Sequence, residues 1–84
     1  LTELRLIPGV GKSIAQDLWN IGITSVADLK GKDPEQLYYH SNRFAGVVQD
    51  RCLLYVFRCA VYFANNKNHQ KEKLNWWYWK DKRK

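Results

Sequence analysis

The chain has 84 residues with 14 basic and eight acidic side chains, and its formal net charge is +6. This length allows one domain, and an apolar content of 45% excludes a disordered chain. The unbroken apolar run at residues 52–57 has six residues and no run is longer, whereas a membrane-spanning helix needs about 18. No secretory signal pattern is present. Because the sequence begins at Leu1 and contains no Met, we expect it to be trimmed from a longer protein.

Periodicity and capping signals predict an all-α fold of about five short helices. Pro8 and Gly22 end the first two helices. Asp33 followed by Pro34 supplies an N-cap and a proline at the first position of the fourth helix. No segment shows the alternation, bounded by turn residues, that predicts a strand. The predicted helices cover residues 2–7, 11–21, 25–31, 33–43 and 48–64.

The basic charge is concentrated at the C-terminal end. Residues 1–64 carry a net charge of +1, and residues 65–84 carry a net charge of +5. We therefore divide the chain into a helical core, residues 1–64, and a basic, tryptophan-rich segment, residues 65–84, called the basic segment below. Such a segment attracts nucleic acid or another anionic surface, but a charge run is also an ordinary solvated tail that keeps a protein soluble.

The two cysteines, Cys52 and Cys59, fall in one predicted helix and lie about 10.5 Å apart along its axis. A disulfide needs Cα atoms within about 7 Å, so they cannot pair with each other. Two free thiols with apolar neighbours fit core packing and the reducing cytoplasm. His40 and His69 do not have metal-ligand spacing relative to the cysteines, so we predict no metal site.

The longest predicted helix has one narrow polar stripe. On a helical wheel, Arg51, Tyr55, Arg58 and Tyr62 fall in a sector about 80° wide. The opposite side, which includes Cys52, is apolar and makes this helix the central element of the core. The stripe is either an exposed face in which Arg stacks over Tyr, or a basic and aromatic surface that contacts phosphate and bases. We favour the first interpretation for Arg58 and Tyr62.

Residues 4–18 contain the most informative motif. Pro8 stops one helix, and Gly9 and Gly11 permit a tight turn with positive φ. Val10, between the two glycines, fits the groove between the flanking helices. The next helix begins at once, so its unpaired N–H groups face outward and form an anion site.

This segment resembles a helix-hairpin-helix motif, because residues 4–18 satisfy the pattern apolar-x-x-apolar-Pro-Gly-apolar-Gly-x-x-x-Ala-x-x-apolar throughout. In that family the hairpin binds nucleic-acid phosphates through backbone amides without reading the base sequence. The resemblance implies a phosphate-binding hairpin over residues 7–13, called the Pro-Gly turn below. The motif is not a Walker loop, since the first Walker glycine would fall at Leu6 and no strand precedes it. The implied phosphate contacts are Gly9, Val10, Gly11, Lys12 and Ser13.

A weaker copy of the motif follows 37 residues later, over residues 44–49, and is called the second turn below. It keeps one glycine but replaces Gly11 by Val48 and Lys12 by Gln49. This internal repeat suggests a tandem helix-hairpin-helix, or SAM-like, domain. We expect the second turn to serve packing rather than to bind phosphate. The candidate further DNA contacts near this turn are Gly46, Gln49 and Arg51.

An aromatic cluster lies within the basic segment. Burial of one tryptophan ring removes about 150–250 Å² from water, so we expect at least two of Trp76, Trp77 and Trp79 to pack on the core. An exposed ring beside basic residues stacks on a base or serves a protein interface, where Trp, Tyr and Arg dominate. The candidate DNA contacts in this segment are Lys80, Lys82 and Arg83.

Over nearly its whole length the chain resembles the short bacterial proteins of the pathogenicity-locus (Cdd1-like) or mitomycin-resistance family. The resemblance implies a bacterial, cytoplasmic protein with a DNA-binding type of helical fold. It does not imply a particular chemistry, because the family names describe genetic context. The resembling stretches are residues 7–15, 22–37, 50–62 and 74–81.

Together these features predict a non-enzymatic module that binds DNA weakly, without sequence preference and with strong salt dependence. No spacing of residues predicts catalysis, and we expect no cofactor, no membrane and no small-molecule substrate. Two alternatives stay open: an adaptor of the same fold that binds a protein, and an accessory fragment whose partner completes the DNA site. DNA binding predicts that Lys12, Arg51 and the basic segment share one face. An adaptor predicts an exposed apolar patch away from Lys12.

Overall fold

The computed structural model describes residues 3–80, and every regular element in that range is helical. The all-α prediction is therefore confirmed. Within the described range, none of the helices combines the length and the apolar character needed to cross a membrane. The α-helices are α1 (Lys12–Asn20), α2 (Pro34–Ala45) and α3 (Arg51–Asn65). Short 3₁₀ helices occupy Leu4–Leu6, Ala27–Leu29, Lys71–Leu74 and Trp76–Trp79.

Two of the roughly five predicted helices are single 3₁₀ turns, so residues 3–80 contain three of the predicted helices as α-helices. The segments concerned are residues 2–7 and 25–31, which contain Leu4–Leu6 and Ala27–Leu29. Little more than one turn fits before Pro8 in the first segment. In the second, Gly31 has a φ of +73°, which lies outside the helical region.

Aspartates cap the N-termini of α2 and α3. Asp33 accepts a hydrogen bond from the backbone N–H of Glu35 at 2.9 Å, and Asp50 accepts one from the N–H of Cys52 at 3.0 Å. Each cap satisfies an amide that the helix leaves unpaired and places a carboxylate at the positive end of the helix dipole. Because Asp50 is the cap, α3 begins at Arg51 rather than at the predicted residue 48.

α3 is the central element of the core, as predicted. Phe57 and Ala60 on this helix have no exposed surface, and α3 packs against α2, the Ala27–Leu29 turn and the basic segment. Burial of a side chain the size of Phe57 contributes about 1.5–3 kcal/mol. α1 joins the same core through Ala15 and Leu18, which are also fully buried.

The two cysteines are free thiols in different environments. Cys59 is buried, as expected, and burial raises the pKa of its thiol to about 11, so it stays protonated at neutral pH. Cys52 is exposed, so the prediction that it belongs to the core is wrong. It lies in the first turn of α3, at the edge of the packed region. Residues 3–80 contain no group of three or more His, Cys, Asp or Glu side chains arranged to hold a metal ion.

The basic segment turns back along α3 after that helix ends. His69 stacks on Phe63 with ring centroids 4.6 Å apart, and the N–H of Gln70 donates to the hydroxyl oxygen of Tyr62 at 2.8 Å. The carbonyl oxygen of Lys73 then lies 3.5 Å from the Sγ atom of the buried cysteine in the middle of α3. The segment is therefore tied to α3 at several points along its length.

The tryptophans of the basic segment divide as predicted between packing and exposure. Trp76 is half-buried against the core. Trp79 is half-buried beside Tyr62, with ring centroids 5.5 Å apart. Trp77 is 56% exposed. Two of the three rings pack, which confirms the prediction.

Candidate nucleic-acid interface

The Pro-Gly turn links the first 3₁₀ helix to α1. Gly9 has a φ of +85°, the left-handed conformation that the tight turn requires. Gly11 is the N-cap of α1 and has extended backbone, with φ −92° and ψ −172°, so the prediction of positive φ at both glycines is wrong for Gly11. Val10 is only 5% exposed and anchors the turn in the core, as predicted.

Some backbone amides of the Pro-Gly turn are hydrogen-bonded within the fold, and others have no backbone acceptor among the described residues. The N–H of Val10 donates to the carbonyl oxygen of Ile7 at 3.1 Å, so the predicted phosphate contact through the Val10 amide is corrected: this residue contributes its buried side chain. α1 begins at Lys12. The N–H groups of Gly11, Lys12 and Ser13 therefore precede the helical bonds, and none has a backbone acceptor in the described part of the chain.

The N-terminus of α1 differs from those of α2 and α3 because it has no side-chain cap. A Cβ atom added at Gly11 would meet nothing within 4 Å, and Lys12 and Ser13 are both exposed. Unpaired amides, the positive end of the helix dipole and a lysine thus face open space together. This arrangement attracts an anion such as phosphate.

Trp76 forms one wall of the Pro-Gly turn. A Cβ atom added at Gly9 would lie 3.7 Å from the Cδ1 atom of Trp76, so the indole packs against the backbone of the turn. The Nζ atom of Lys80 lies 5.5 Å from the centroid of the same indole, in cation–π geometry. The structure therefore brings Lys80 to the Pro-Gly turn through Trp76. Lys82 and Arg83, the other predicted contacts of the basic segment, lie outside the described residues.

The charge of Lys80 also acts at the start of α3. Local desolvation, followed by the Asp50 carboxylate, raises the pKa of the Cys52 thiol, and the Lys80 ammonium acts against that rise. Arg51, the first residue of α3, is exposed at the same end of the helix. Lys80 thus reaches the Pro-Gly turn through Trp76, and its charge acts on the thiol of Cys52 in the first turn of α3.

The second turn has the same glycine conformation as the Pro-Gly turn but different polar partners. Gly46 has a φ of +76° and ends α2. The backbone N–H and the side-chain amide of Gln49 both donate to the Oδ1 atom of Asn42, at 2.9 and 3.2 Å, and the side-chain amide also reaches Ser41 at 2.9 Å. Gln49 is therefore held against α2, which gives it a packing role.

A carboxylate already occupies the N-terminus of α3. The hydrogen bonds that Asp50 accepts from the backbone and side chain of Cys52 hold the pKa of its carboxyl below the ordinary value. The resulting negative charge lies where the second turn would otherwise hold a phosphate, and it repels one. Sequence reasoning missed Asp50, although an aspartate just before a long apolar run is a recognisable start signal for a helix.

The Arg and Tyr stripe of α3 is partly covered. The guanidinium carbon of Arg58 lies 5.7 Å from the ring centroid of Tyr55, which matches the stacking that we favoured. Arg58 and Tyr62 are half-buried, so the expectation of an exposed face is wrong for them. Arg58 also donates to the carbonyl oxygen of Trp79 at 2.8 Å and forms an ion pair with Glu35 at 3.3 Å. Together with the packing of Tyr62, these contacts make this part of the stripe an attachment surface for the basic segment.

An exposed apolar patch surrounds the second turn. Phe44, Val47 and Val48 are 65%, 63% and 85% exposed, and Tyr39 is 56% exposed. Tyr39, Val47 and Val48 line a shallow cavity of about 290 Å³. Val47 corresponds to the buried Val10 of the Pro-Gly turn, so the expectation that the second turn serves packing is wrong for its apolar side chains.

Comparison with known proteins gives these features a family context. The family model described as Cdd1, pathogenicity locus, matches residues 1–84. The mitomycin resistance protein McrB of Streptomyces lavendulae is 32% identical over 83 residues, which cover 99% of this chain and 75% of that protein. No solved structure matches the chain. The family resemblance inferred from the sequence is thereby confirmed.

Proposed function

The chain belongs to the pathogenicity-locus (Cdd1) family, and we propose that it is a non-enzymatic module that binds DNA without sequence preference through a helix-hairpin-helix at the Pro-Gly turn. The finer fold that we propose is a tandem, SAM-like pair of hairpins in which the first one binds phosphate. Gly9 and Gly46 support the tandem, since they occupy corresponding places in the two turns and both have positive φ.

A phosphate of the DNA backbone accepts hydrogen bonds from the N–H groups of Gly11, Lys12 and Ser13. The Ser13 hydroxyl offers a further donor, and Lys12 supplies a positive charge. Lys80, beside the turn on Trp76, adds a second cation. Because these groups reach only the phosphates, they position the protein on DNA without reading its bases.

The missing side-chain cap of α1 is the observation that carries this proposal. α2 and α3 each have an aspartate whose carboxylate accepts an N-terminal amide. α1 leaves its amides unpaired beside a lysine. A bound phosphate would accept the free N-terminal amides of α1, as the Asp50 carboxylate accepts the N-terminal amide of Cys52 in α3.

Binding is weak and depends strongly on salt. One turn and a few cations neutralise few phosphates, and log affinity falls with log salt by about 0.9 for each phosphate neutralised on duplex DNA. The slope of log affinity against log salt therefore gives the number of phosphates that the protein neutralises.

Three of the described carboxylates support a binding role rather than a catalytic one. Asp28, Asp33 and Asp50 each accept a backbone amide, so they act in the fold. Cys52 and Cys59 are free thiols, and such thiols persist in a reducing compartment. We accordingly place the protein in the cytoplasm.

Fluorescence anisotropy with a short labelled duplex at two salt concentrations tests the proposal. Wild type is compared with a double variant, Gly11→Val with Lys12→Glu. The extended backbone and open surroundings of Gly11 accept a valine without strain, so the double variant is expected to fold. Lys30→Glu makes the same change of charge at an exposed residue outside the Pro-Gly turn and serves as the matched control.

We expect wild type and Lys30→Glu to bind the duplex, more weakly at the higher salt concentration, and the folded double variant to lose binding. Binding that depends on salt but is unchanged in the double variant would move the site to the basic segment. If folded wild type does not bind at low salt, the DNA-binding proposal is wrong for this chain.

A protein-interaction adaptor of the same fold is the second candidate function. The exposed patch of Phe44, Val47 and Val48 favours it, because clusters of exposed large apolar side chains mark interaction sites. The patch belongs to the second turn, whereas Lys12 belongs to the Pro-Gly turn. The two functions are therefore separable: Val48→Asp removes part of the patch and leaves the proposed phosphate site intact.

A further inference from the structure

A larger groove lies between the C-terminal half of α3, the start of α2 and the last 3₁₀ helix, with a volume of about 650 Å³. Three aromatic rings line it, those of Tyr62, Tyr78 and Trp79, together with the cations Arg58 and Lys80. The volume falls in the range of about 300–1,000 Å³ that is usual for sites of small ligands. Of the groups that we assign to the phosphate site at the Pro-Gly turn, only Lys80 also lines this groove.

The aromatic walls of the groove are fixed by hydrogen bonds. The indole N–H of Trp79 donates to the carbonyl oxygen of Lys73 at 2.8 Å, and the carbonyl oxygen of Trp79 accepts from Arg58 at 2.8 Å. The Tyr62 hydroxyl accepts the N–H of Gln70, and the ring of Tyr62 is tilted by 42° from that of Trp79. Rings held in this way pack on a planar ligand with little loss of freedom.

Two asparagines that line the groove each leave half of their amide group unpaired. The Oδ1 atom of Asn65 accepts the N–H of Gly31 at 3.0 Å, which leaves its NH₂ group as a donor. The Nδ2 atom of Asn66 donates to the carbonyl oxygen of Tyr62 at 2.9 Å, which leaves its Oδ1 atom as an acceptor. Neither remaining group has a partner within residues 3–80. A neighbouring donor and acceptor match the hydrogen-bonding edge of a nucleobase.

We propose that this groove binds an unpaired nucleotide, with the base against the aromatic walls and the phosphate beside Lys80. The inference rests on the proposed function, because it takes nucleic acid as the ligand, and it specifies DNA with single-stranded nucleotides as the substrate class. Lys80 complements a phosphate, and the amide groups of Asn65 and Asn66 offer a donor and an acceptor that a base edge uses and an apolar peptide does not. A nucleotide is therefore the better match.

Lys80 connects the groove with the Pro-Gly turn. It lines the groove, and its Nζ atom lies over the Trp76 indole, which packs against Gly9. Lys80 is therefore common to the groove and to the surroundings of the Pro-Gly turn. A free mononucleotide has the same chemistry, so the test includes one.

Three probes separate these ligands: a labelled oligothymidine of about eight nucleotides, a labelled duplex of the same length, and unlabelled thymidine monophosphate. Anisotropy at one low salt concentration measures the two labelled probes. For thymidine monophosphate, NMR spectra follow the indole N–H of Trp79 and the side-chain amides of Asn65 and Asn66. The full chain is used throughout.

Two variants alter the groove in different ways. Tyr78→Ala removes one aromatic wall, and Trp77→Ala, at the exposed neighbouring ring outside the groove, is its matched control. Asn65→Asp keeps the oxygen that accepts the Gly31 amide, replaces the free donor by an acceptor and adds a negative charge. Because Asn65→Asp removes no ring, it keeps the proposal testable if Tyr78→Ala fails to fold.

We expect the single strand to bind more tightly than the duplex. Tyr78→Ala and Asn65→Asp should each weaken single-strand binding by about 5- to 10-fold, since stacking and edge contacts are lost, and Trp77→Ala should leave it within about twofold. Thymidine monophosphate that shifts the Trp79 indole signal supports the groove as a site for the free nucleotide too. No shift, with intact single-strand binding, assigns the ligand to the strand.

Equal affinity for single strand and duplex would overturn the inference, as would a loss of single-strand binding in Trp77→Ala but not in Tyr78→Ala. The failure of the proposed function has a different result. If the duplex does not bind, or binds equally well to the Gly11→Val, Lys12→Glu variant, the phosphate site is wrong. Single-strand binding that still depends on Tyr78 would then leave the groove assignment standing.

Discussion

Gly11→Asp should stabilise the fold and weaken DNA binding, two effects of opposite sign from one substitution. Gly11 is the N-cap of α1, with extended backbone and no atom within 4 Å of an added Cβ. An aspartate fits there without strain, and its carboxylate can accept the free amide of Ser13, two residues on. The carboxylate then takes the place that we assign to a DNA phosphate.

The size of the stabilisation follows from the helix terminus. Aspartate exceeds glycine as an N-cap by a few tenths of a kcal/mol, and a negative charge at an exposed helix N-terminus contributes about 0.3–1 kcal/mol. We therefore expect a gain of roughly 0.5–1 kcal/mol in the free energy of unfolding. For a domain of this size, that gain raises Tm by about 2–8 °C.

Thermal unfolding followed by circular dichroism and duplex anisotropy at low salt measure the two effects. We expect Gly11→Asp to raise Tm and to weaken duplex binding by at least about tenfold, because it removes a donor and adds a repulsive charge. Gly11→Ala is the control, since it changes the same glycine without adding an acceptor. It should retain most of the duplex affinity and be slightly less stable than wild type.

Two results would refute this reasoning. If Gly11→Asp unfolds at a lower temperature than Gly11→Ala, the N-terminus of α1 is not an open cap site. If it binds the duplex as tightly as wild type does, the amides of α1 do not contact phosphate.

Three further predictions follow. The Asp50 carboxyl has a lower pKa in the folded chain than its ordinary value of 3.8, so its cap stabilises α3 above about pH 4 and this stabilisation is lost as pH falls through the lowered value. The free energy of unfolding, measured by circular dichroism, should therefore depend less on pH in this acid range for Asp50→Ser than for wild type. Equal dependence on pH would contradict this prediction. A thiol reagent at neutral pH should modify the exposed Cys52 in the folded protein, at a rate limited by its raised pKa, and Cys59 only on unfolding, because Cys59 is buried with a pKa of about 11; reaction of both thiols at the same rate in the folded protein would contradict the burial. Trp76→Ala should lower the free energy of unfolding by about 2 kcal/mol in a urea titration, since it removes a half-buried ring that packs on the core and on Gly9. An unchanged urea concentration at the unfolding midpoint would show that this packing contributes nothing.

Local signals in the sequence located the α-helices well. Pro34 after Asp33 fixed the start of α2, and the apolar pattern of the longest helix predicted its central place. The first and third predicted helices are shorter than expected. Pro8 and Gly31 leave room for little more than one turn in these segments, and a single turn forms a 3₁₀ helix rather than an α-helix. The start of α3 was misplaced because the capping role of Asp50 was overlooked.

Long-range packing limits what the sequence reveals about the candidate site. The pattern of the Pro-Gly turn predicted the buried Val10 and the left-handed Gly9. It did not predict Trp76 as a wall of that turn, because the two segments are far apart in the chain and meet only through the fold. The exposure of Cys52 and Val47 has the same origin: a helical wheel or an aligned motif gives the direction of a side chain, but not whether another element covers it.

The most direct test of the account follows the backbone amides themselves. Spectra of ¹⁵N-labelled protein recorded during titration with a short duplex at low salt report each N–H separately. The account predicts the largest shifts at Gly11, Lys12 and Ser13, with little change at Cys52, whose amide is already bonded to Asp50. Shifts concentrated at α3 or at the second turn, with the α1 amides unchanged, would contradict it.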